Sequence, residues 1–443
     1  MKVQRPKPKQ TVSRLILPKN GTQPIFVAHK RHGQISSYIC ATVGGGMEIN
    51  MKKISHILTV ALFLAVIGGL AIAFWIIPDK NFSENENRVL SDFPTVSGEK
   101  ILQGELSEDF DAYFTDQFPL RDTFLTLDSL TRLSLGQGEA GGVLVGQDGQ
   151  LAVRKFNAYL TPTERANATD FYSTAHLERA ATALGKLTKK VSAPVTVLPA
   201  PRTLDVAISA FDYPQEMSDT LNATLHGYLV GAGVQSIDLL PTFRTMYEDG
   251  AYVYFRTDHH WTTLGAYTAY EALLTAWGMA DSILPYESFD AHTVENFYGT
   301  TWSRAGLSFI PPDTLSYVTM ADDAQYIVRD DKENTVMTGF VDSSYFDKKD
   351  KYGAFMSGTH RLLTVTYEGE DAEGTRPKLL VARDSFASSL APFLARHFDL
   401  VMVDLSGGMT HLSEYAETYG CDRILVVYNL ENFITADAAV RID

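Results

Sequence analysis

The chain has 443 residues, of which 45% are hydrophobic and 21% charged, and this composition excludes a mostly disordered or collagen-like protein. The net charge of −15 is unevenly divided, because residues 1–55 carry ten Lys or Arg and one acid, whereas the remaining residues carry 28 bases and 52 acids. A body this acidic is unsuited to nucleic acid, whose phosphates are bound mainly by basic side chains.

An apolar run of 21 residues from Ile57 to Ile77 predicts one membrane-spanning helix. At 1.5 Å per residue it would be about 31 Å long, which matches the roughly 30 Å hydrocarbon core of a bilayer. Basic residues precede the run and acidic residues follow it: Lys52, Lys53, Asp79, Glu84 and Glu86. The positive-inside rule then predicts a single-pass protein of the cell membrane, with its N-terminus in the cytoplasm and its C-terminal domain outside.

The alternative for this run is a cleaved signal peptide. The run is longer than a signal core and no small-x-small cleavage site follows it, so we favour an uncleaved anchor. The two cysteines, Cys40 and Cys421, fall on opposite sides of the predicted span, and a disulfide framework is therefore not expected.

Composition divides the chain into four predicted segments. Met47 and Met51 each begin a short basic lead into the span, so we interpret residues 1–46 as an over-extended gene start. The segments are a cytoplasmic segment at 1–56, the transmembrane anchor at 57–77, a polar stalk at 78–100 and an extracytoplasmic domain at 101–443, within which residues 281–376 are predicted to form an irregular insertion or cap.

The first elements of the outside portion are two amphipathic helices and a hairpin. Aromatic residues at helical spacing predict a helix that Pro119 ends, and Phe124 to Leu133 predict a second helix. Two short apolar runs around a turn at Asp148-Gly149 predict a hairpin of residues 143–145 and 151–153.

Helices and strands then alternate. We expect helices at 163–190, 216–230 and 263–277, and strands at 195–198, 236–240 and 252–255. Three apolar strands, at 378–382, 399–404 and 423–428, close the chain. Strands that are apolar throughout favour a parallel sheet covered by helices on both faces.

The densest polar cluster is Thr257-Asp258-His259-His260-Trp261-Thr262. It follows a predicted strand, and ligands of open parallel sheets bind beyond the carboxyl ends of the strands. The alternative is structural: Thr262 would cap the next helix and Trp261 would pack into the core.

Ser385 is the second candidate, because it lies in a sharp turn between an apolar strand and a helix. Its backbone N–H would stand at a helix N-terminus, where it can stabilise a developing negative charge, although the serine could also simply cap the helix. A serine becomes a nucleophile when an imidazole takes its proton and a carboxylate orients that imidazole. Asp258, His260 and Ser385 supply these three groups, and we expect them at the ends of neighbouring strands.

Four ordered motifs carry a family resemblance: FDAYFTDQFPLRDTF, TDHHWT, RDSFASSL and YNLENF. On these motifs the chain, over roughly residues 80–443, resembles the DHHW protein family and is more distantly similar to the alginate O-acetyltransferases of the SGNH-hydrolase-like superfamily. The resemblance implies an α/β, SGNH-hydrolase-like three-layer fold with a mostly parallel sheet of permuted strand order, preceded by one transmembrane helix.

The resemblance also implies roles for individual residues. Asp258, His260 and Ser385 match the catalytic triad, and Ser385 N–H, Gly407 N–H and the Asn429 side chain match an oxyanion hole, with Asn432 as the alternative to Asn429. Arg383 stands where the superfamily often has glycine. The residues expected to contact substrate are His259, Trp261, Tyr298, Trp302 and Arg304.

The leading hypothesis is a membrane-anchored extracytoplasmic serine O-acyltransferase that acetylates a cell-surface polysaccharide. No nucleotide-binding loop is present, so no cofactor is expected, and the acetyl donor would be a multi-span membrane acyltransferase. The alternatives are a carbohydrate acetyl esterase with the same triad and a non-catalytic glycan-binding or assembly protein. A metal phosphoesterase is disfavoured because such sites need further Asp clusters, and Asp205 and Asp238 stand alone.

Overall fold

The chain forms two compact units, Met1–Pro78 and Asp79–Asp443. The computed structural model describes residues 30–31, 34–35, 45–83, 88–153, 174–211, 215–332, 334–369 and 376–442. In the first unit, β1 (Lys30–Arg31) pairs antiparallel with β2 (Gln34–Ile35), and a helix runs over Gly45–Ile76. Its Lys52–Ile76 portion contains an 18-residue window with a mean hydropathy of 2.7 and is long and apolar enough to cross a membrane.

The second unit is an α/β structure. Its helices are Gly98–Gln103, Glu105–Asp116, Arg121–Ser134, Thr174–Lys190, Thr203–Val206, Gln215–Gly231, Leu240–Glu248, Thr263–Ala276, Thr300–Ala305, Phe386–Leu394, Leu412–Tyr419 and Leu430–Thr435. Its strands are β3 (Phe82–Ser83), β4 (Arg88–Val89), β5 (Glu139–Ala140), β6 (Val143–Val145), β7 (Leu151–Val153), β8 (Val195–Ala200), β9 (Gln235–Ser236), β10 (Asp290–Phe297), β11 (Asp313–Thr319), β12 (Tyr326–Arg329), β13 (Thr335–Thr338), β14 (Leu362–Tyr367), β15 (Lys378–Arg383), β16 (Asp399–Asp404) and β17 (Arg423–Asn429).

Eight of these strands form one sheet in the order β13-β12-β14-β16-β15-β17-β8-β9. The strands from β16 to β9 run parallel, as the apolar closing runs predicted. The remaining three, β12, β13 and β14, lie within residues 281–376 and extend the sheet antiparallel. The prediction of a parallel sheet therefore holds for the half that carries Ser385.

Side-chain alternation along β15 explains the three layers. Leu379 and Val381 point into a core that the helices Thr263–Ala276 and Phe386–Leu394 cover, whereas Leu380 and Ala382 point into a second core. The helices Thr174–Lys190 and Gln215–Gly231 cover that second core. Each fully buried Val or Leu contributes roughly 1.5–3 kcal/mol, so burial on both faces stabilises this strand firmly.

Most predicted elements are confirmed, including the two helices before residue 135, the hairpin of β6 and β7, and the helix that begins at Thr263. Residues 163–173 of one predicted helix lie outside the described residues. The predicted strand at 236–240 is wrong, because β9 ends at Ser236 and Leu240 begins a helix with Pro241 in its first turn.

The segment Tyr252 to Phe255 is also not a strand of the main sheet. It makes one isolated antiparallel bridge, from Tyr254 to Trp261. The DHHW cluster therefore stands in a connection between the helices Leu240–Glu248 and Thr263–Ala276, and not at the end of a sheet strand as expected.

Candidate active site

Ser385 stands in the sharp turn between β15 and the helix Phe386–Leu394. Its side chain makes no capping hydrogen bond to that helix. Instead, its Oγ lies 2.6 Å from Nε2 of His260. The geometry thus pairs the hydroxyl with an imidazole that is 125 residues away in the chain.

Asp258 fixes the orientation of that imidazole. Its Oδ1 accepts hydrogen bonds from the His260 backbone N–H at 3.0 Å and from His260 Nδ1 at 2.5 Å. Because a carboxylate can only accept, Nδ1 carries the proton and Nε2 is the nitrogen that accepts from Ser385 Oγ. The three side chains form one hydrogen-bonded chain from carboxylate to hydroxyl.

The second carboxylate oxygen of Asp258 is bound by Thr300. Its Oδ2 accepts from Thr300 N–H at 2.8 Å and from Thr300 Oγ1 at 3.0 Å. Burial by itself would raise the pKa of Asp258, but the electrostatic interactions with His260 and His259 and the hydrogen bonds from His260 and Thr300 outweigh it and hold that pKa well below its ordinary value. Asp258 is therefore a carboxylate throughout the physiological range.

Neighbouring contacts hold the DHHW connection in shape. Asp313 Oδ2 accepts hydrogen bonds from Thr257 N–H at 2.7 Å and from Thr257 Oγ1 at 2.6 Å. Thr262 Oγ1 accepts from Gly265 N–H at 3.3 Å, so the predicted helix cap is present together with the hydrogen-bonded chain. The motif thus starts a helix and positions two polar side chains at the same time.

Tyr352 is a part of this site that the sequence analysis missed. Its ring stacks on the His260 ring with centroids 3.8 Å apart and an angle of 7° between the planes. Its hydroxyl donates to the Ser385 carbonyl oxygen at 3.2 Å and lies 3.0 Å from Ser389 Oγ. Burial raises the pKa of this phenol, so it remains neutral beside the imidazole.

The sequence analysis also missed Gly299, a position at which the absence of a side chain is required. A Cβ at this position would lie 2.3 Å from Cβ of Asp258 and 2.6 Å from its Oδ2, which is closer than non-bonded atoms approach. Only glycine lets the backbone at Thr300 come near enough to donate to Asp258. Nothing in the local sequence marks Gly299, Thr300 or Tyr352, because their contacts are made across 33 to 92 residues.

Asp384 anchors the serine turn to β17. Its Oδ2 accepts from Asn429 N–H at 2.6 Å and from Asn432 Nδ2 at 2.8 Å, and its Oδ1 accepts from Phe386 N–H at 3.0 Å. Burial raises the pKa of this carboxyl, although the three hydrogen bonds oppose the change. Asp384 belongs to the R-D-S-F motif, but its role becomes apparent only from the residues that contact it in the folded protein.

A cavity of about 210 Å³ opens beside Ser385. It is lined by Val153, His259, Thr300, Thr301, Arg304, Asp384, Ser385, Asn429, Glu431 and Asn432. The structure therefore brings four sequence-predicted residues to one cavity: Ser385, His259, Arg304 and Asn429. Asn432, the predicted alternative to Asn429, lines the cavity too.

Four of the residues predicted for the oxyanion hole or for substrate contact do not line this cavity. Gly407 lies in the 3₁₀ turn Leu405–Gly407 after β16. Tyr298 and Trp302 pack on each other with ring centroids 4.6 Å apart. The expectation that Trp261 contacts substrate is wrong, since its ring is fully buried against Phe386 and its Nε1 donates to Ser389 Oγ at 2.9 Å.

The side-chain amide of Asn429 already makes contacts within the protein. Its Oδ1 accepts from Glu431 N–H at 2.7 Å, so the side chain caps the helix Leu430–Thr435. Its Nδ2 faces the Ala200 carbonyl oxygen at 3.5 Å, a long contact. Asn429 and Ser385 line the same cavity, and an amide N–H group has the polarity that an oxyanion needs.

Asp258, His259 and His260 could each offer one metal-ligand atom, and these atoms lie within 4.8 Å of one another. The donor set does not suit a metal ion, because both carboxylate oxygens of Asp258 already accept two hydrogen bonds each. A cation would have to displace the His260 and Thr300 donors. The same atoms instead complete the hydrogen-bonded chain to Ser385.

Comparison with known families confirms the resemblance that the motifs indicated. Residues 237–404 match the model of the DHHW protein family, and residues 143–307 match that of the SGNH hydrolase-like domain of the acetyltransferase AlgX. Among curated proteins, the chain is 26% identical over 227 residues to the probable alginate O-acetylase AlgJ of Pseudomonas aeruginosa, covering 50% of this chain and 55% of the relative. The chain spans about half the length of the curated relatives it matches.

Solved structures support the same fold. A DHHW family protein from Eubacterium siraeum superposes with a TM-score of 0.54 at 19% identity, over 68% of this chain and 95% of the other. Bacillus cereus PatB1, in a structure with a sulfonyl adduct, superposes with a TM-score of 0.51 at 16% identity, over 68% of this chain and 97% of the other. The α/β, SGNH-hydrolase-like fold predicted from the motifs is thereby confirmed.

Proposed function

We propose that the protein is a membrane-anchored, extracytoplasmic serine O-acyltransferase that acetylates a cell-surface polysaccharide. The observation that carries the proposal is the hydrogen-bonded arrangement of Asp258, His260 and Ser385. His260 Nδ1 lies 2.5 Å from Asp258 Oδ1, and His260 Nε2 lies 2.6 Å from Ser385 Oγ. The names of the relatives, probable alginate O-acetylases, support acetyl as the group transferred and a polysaccharide as its acceptor. The apolar helix Lys52–Ile76 supports an anchor in the cell membrane.

In the first step, His260 Nε2 removes the proton of Ser385 Oγ while the oxygen attacks the acetyl carbonyl of the donor. Asp258 stabilises the imidazolium, which then gives the proton to the leaving group as acetyl-Ser385 forms. In the second step, His260 takes the proton of a sugar hydroxyl, which attacks the acetyl carbonyl, and returns a proton to Ser385 Oγ as that bond breaks. The products are the acetylated sugar and the original enzyme.

Each step passes through an oxyanion that must be stabilised. We assign this role to Ser385 N–H and the Asn429 side chain, because both residues line the same cavity, and not to Gly407 N–H, because Gly407 does not line it. Because the donor must reach an outside-facing site, we also propose a multi-span membrane acyltransferase as the partner that supplies acetyl.

His259 is proposed to bind the acceptor sugar through a defined tautomer. Its Nδ1 lies 2.7 Å from Thr300 Oγ1, and that hydroxyl donates its hydrogen to Asp258 Oδ2. Thr300 Oγ1 must therefore accept from His259, so the proton of the neutral ring is on Nδ1 and Nε2 is a hydrogen-bond acceptor. Since His259 lines the cavity beside Ser385, we assign its ring to contact with the acceptor sugar.

The direct test of the proposal is an assay of the full-length protein in detergent with an activated acetyl ester. We expect a burst of leaving group as Ser385 is acetylated, and acetyl transfer to added oligosaccharide that rises with its concentration. Acetate release that oligosaccharide leaves unchanged would make the protein a carbohydrate acetyl esterase. Absence of both the burst and transfer would contradict an enzymatic function and favour a glycan-binding or assembly role.

The variant His259→Gln tests the acceptor assignment in the same assay. We expect a burst close to that of the unchanged protein, because Ser385 and His260 keep their contacts, and transfer to oligosaccharide reduced by about 10-fold or more, since a lost hydrogen bond to a bound hydroxyl costs about 1–3 kcal/mol. The matched control is His292→Gln, at an exposed histidine that bonds Thr319 Oγ1. An equal fall in burst and transfer would contradict a role confined to the acceptor.

A further inference from the structure

The second unit concentrates its exposed apolar side chains in one part of the chain, residues 82–135, which we call the apolar surface. Among the described residues of this unit, 14 of the 18 exposed large hydrophobic residues fall there, including Leu102, Phe118 and Phe124. A soluble surface seldom gathers apolar side chains to this degree without an interaction partner.

Aromatic contacts show that this surface is a packed structure and not a set of isolated side chains. Phe93 lies edge-on to Phe110, with ring centroids 5.6 Å apart, and Phe110 stacks on Phe114 at 6.0 Å. Phe118 and Phe124, which are both exposed, form a second pair at 5.8 Å. The helices Glu105–Asp116 and Arg121–Ser134 thus present ordered rings to the outside.

Hydrogen bonds fasten this surface to the residues that follow the apolar helix directly. The Asp79 carboxylate accepts from Tyr113 Oη at 3.1 Å, and the Lys80 N–H donates to Gln117 Oε1 at 3.0 Å. Gln117 Nε2 in turn donates to the Lys80 carbonyl oxygen at 3.1 Å. Asp79 comes three residues after Ile76, and three extended residues span at most about 11 Å, so the chain tethers the apolar surface to the end of that helix.

The charges of the apolar surface indicate which interaction would drive its binding to a membrane. The polar residues of its first two helices are mainly acidic, with Glu99, Glu105 and Glu108 in the first turns. Acidic side chains are repelled by anionic headgroups, so charge attraction is excluded and insertion of apolar side chains remains as the driving force.

We propose that the apolar surface lies on the outer face of the bilayer, with its exposed Phe and Leu side chains inserted among the lipid headgroups. The inference rests on the membrane anchoring proposed above. It adds a second, peripheral membrane contact to the single span. Amphipathic helices of this kind insert about 5–10 Å, to the boundary between headgroups and acyl chains.

This contact has a consequence for the candidate active site. Ser129 Oγ donates to the Ala305 carbonyl oxygen at 2.9 Å, which joins the helix Arg121–Ser134 to the helix Thr300–Ala305. Thr300, at the start of the latter helix, is the residue that binds Asp258 Oδ2. The helix proposed to contact the membrane therefore supports the helix that positions the carboxylate.

The test uses the full chain in phosphatidylcholine vesicles that contain a lipid with a spin label near its headgroup. Cys40 and Cys421 are replaced by serine, and single cysteines at Leu102 and Phe118 carry an environment-sensitive fluorophore. Controls at Val230 and Met409 carry the same label, because these are exposed apolar residues outside the apolar surface. We expect at least about twofold stronger quenching at Leu102 and Phe118 than at the controls, unchanged by salt and not increased by anionic lipid.

A label at Leu64, within the apolar helix, separates this inference from the anchoring on which it rests. If Leu64 is quenched by a spin label deep in the bilayer while Leu102 and Phe118 are quenched no more than Val230, the peripheral contact is overturned and the anchor stands. If Leu64 is not quenched either, both the anchor and the contact are overturned.

Discussion

Replacing Ser385 with Ala is expected to reduce acetyl transfer by about 10³-fold or more. The Oγ atom is the only group of this residue that could form the acetyl-enzyme, and it lies 2.6 Å from the nitrogen that would take its proton. Without it, His260 can still activate a sugar hydroxyl, but no covalent intermediate forms. The measurement is the initial rate of transfer from an activated acetyl ester to oligosaccharide, together with the pre-steady-state burst, which should disappear.

The fold should tolerate this substitution. The described hydrogen bonds of Ser385 Oγ end at His260, and the helix Phe386–Leu394 does not depend on a side-chain cap from Ser385. We therefore expect the free energy of unfolding to fall by only about 1 kcal/mol. Ser288→Ala, at an exposed serine in the 3₁₀ turn Tyr286–Ser288, is the matched control and should keep full activity. A Ser385→Ala variant that retains the burst would rule out Ser385 as the nucleophile.

The parts of the fold that were predicted correctly are those with a strong local signal. Thr262 and the periodic apolar residues after it define the helix from Thr263, and the uninterrupted apolar runs define β15 and its neighbours. The predicted strand at 236–240 is wrong because a five-residue segment with three apolar side chains does not distinguish a strand from the start of a helix, and Pro241 favours the first turn of a helix. Local sequence therefore predicted the type of the long elements, such as the helix from Thr263 and the strand β15, and failed on type where the segment was short.

For the site, the sequence predicted the residues that the chemistry requires but not those that hold them. Asp258, His260 and Ser385 are recognisable because carboxylate, imidazole and hydroxyl have a known joint function. Thr300 and Tyr352 act only through tertiary contacts with Asp258 and His260, and a Thr or a Tyr carries no such signal by itself. Trp261 was instead assigned a role that it does not have. Its place in the motif suggested contact with substrate, but its indole is buried in the core.

Asp258→Asn is expected to lower acetyl transfer by about 10³- to 10⁴-fold while leaving the protein folded. If the new amide turns its NH₂ group toward His260, Nδ1 must accept, the proton moves to Nε2, and the ring can no longer take the proton of Ser385. If it turns its oxygen toward His260, its NH₂ group meets the Thr300 N–H, which is also a donor. The first orientation breaks the hydrogen-bonded chain and the second breaks the contact with Thr300 that supports it, so the loss should appear in the rate of Ser385 acetylation itself.

The same substitution should change how stability depends on pH. The pKa of Asp258 is lowered in the folded protein, so its ionised form contributes stability that is fully present above the ordinary pKa of about 4 and is lost as pH falls below that value toward the folded pKa. We therefore expect the difference in free energy of unfolding between the unchanged protein and Asp258→Asn to be largest near neutral pH and to shrink in acid.

Asp330→Asn is the matched control for both measurements. Asp330 is an exposed carboxylate that accepts hydrogen bonds from Asn334 and Lys332, and its pKa is also lowered, chiefly by the side chain of Asn334. It should keep full activity, because it lies in the turn between β12 and β13 and has no link to His260. If Asp258→Asn retained the unchanged rate while Ser385→Ala was inactive, another group would have to orient His260, and Thr300 and Tyr352 would be the residues to change next.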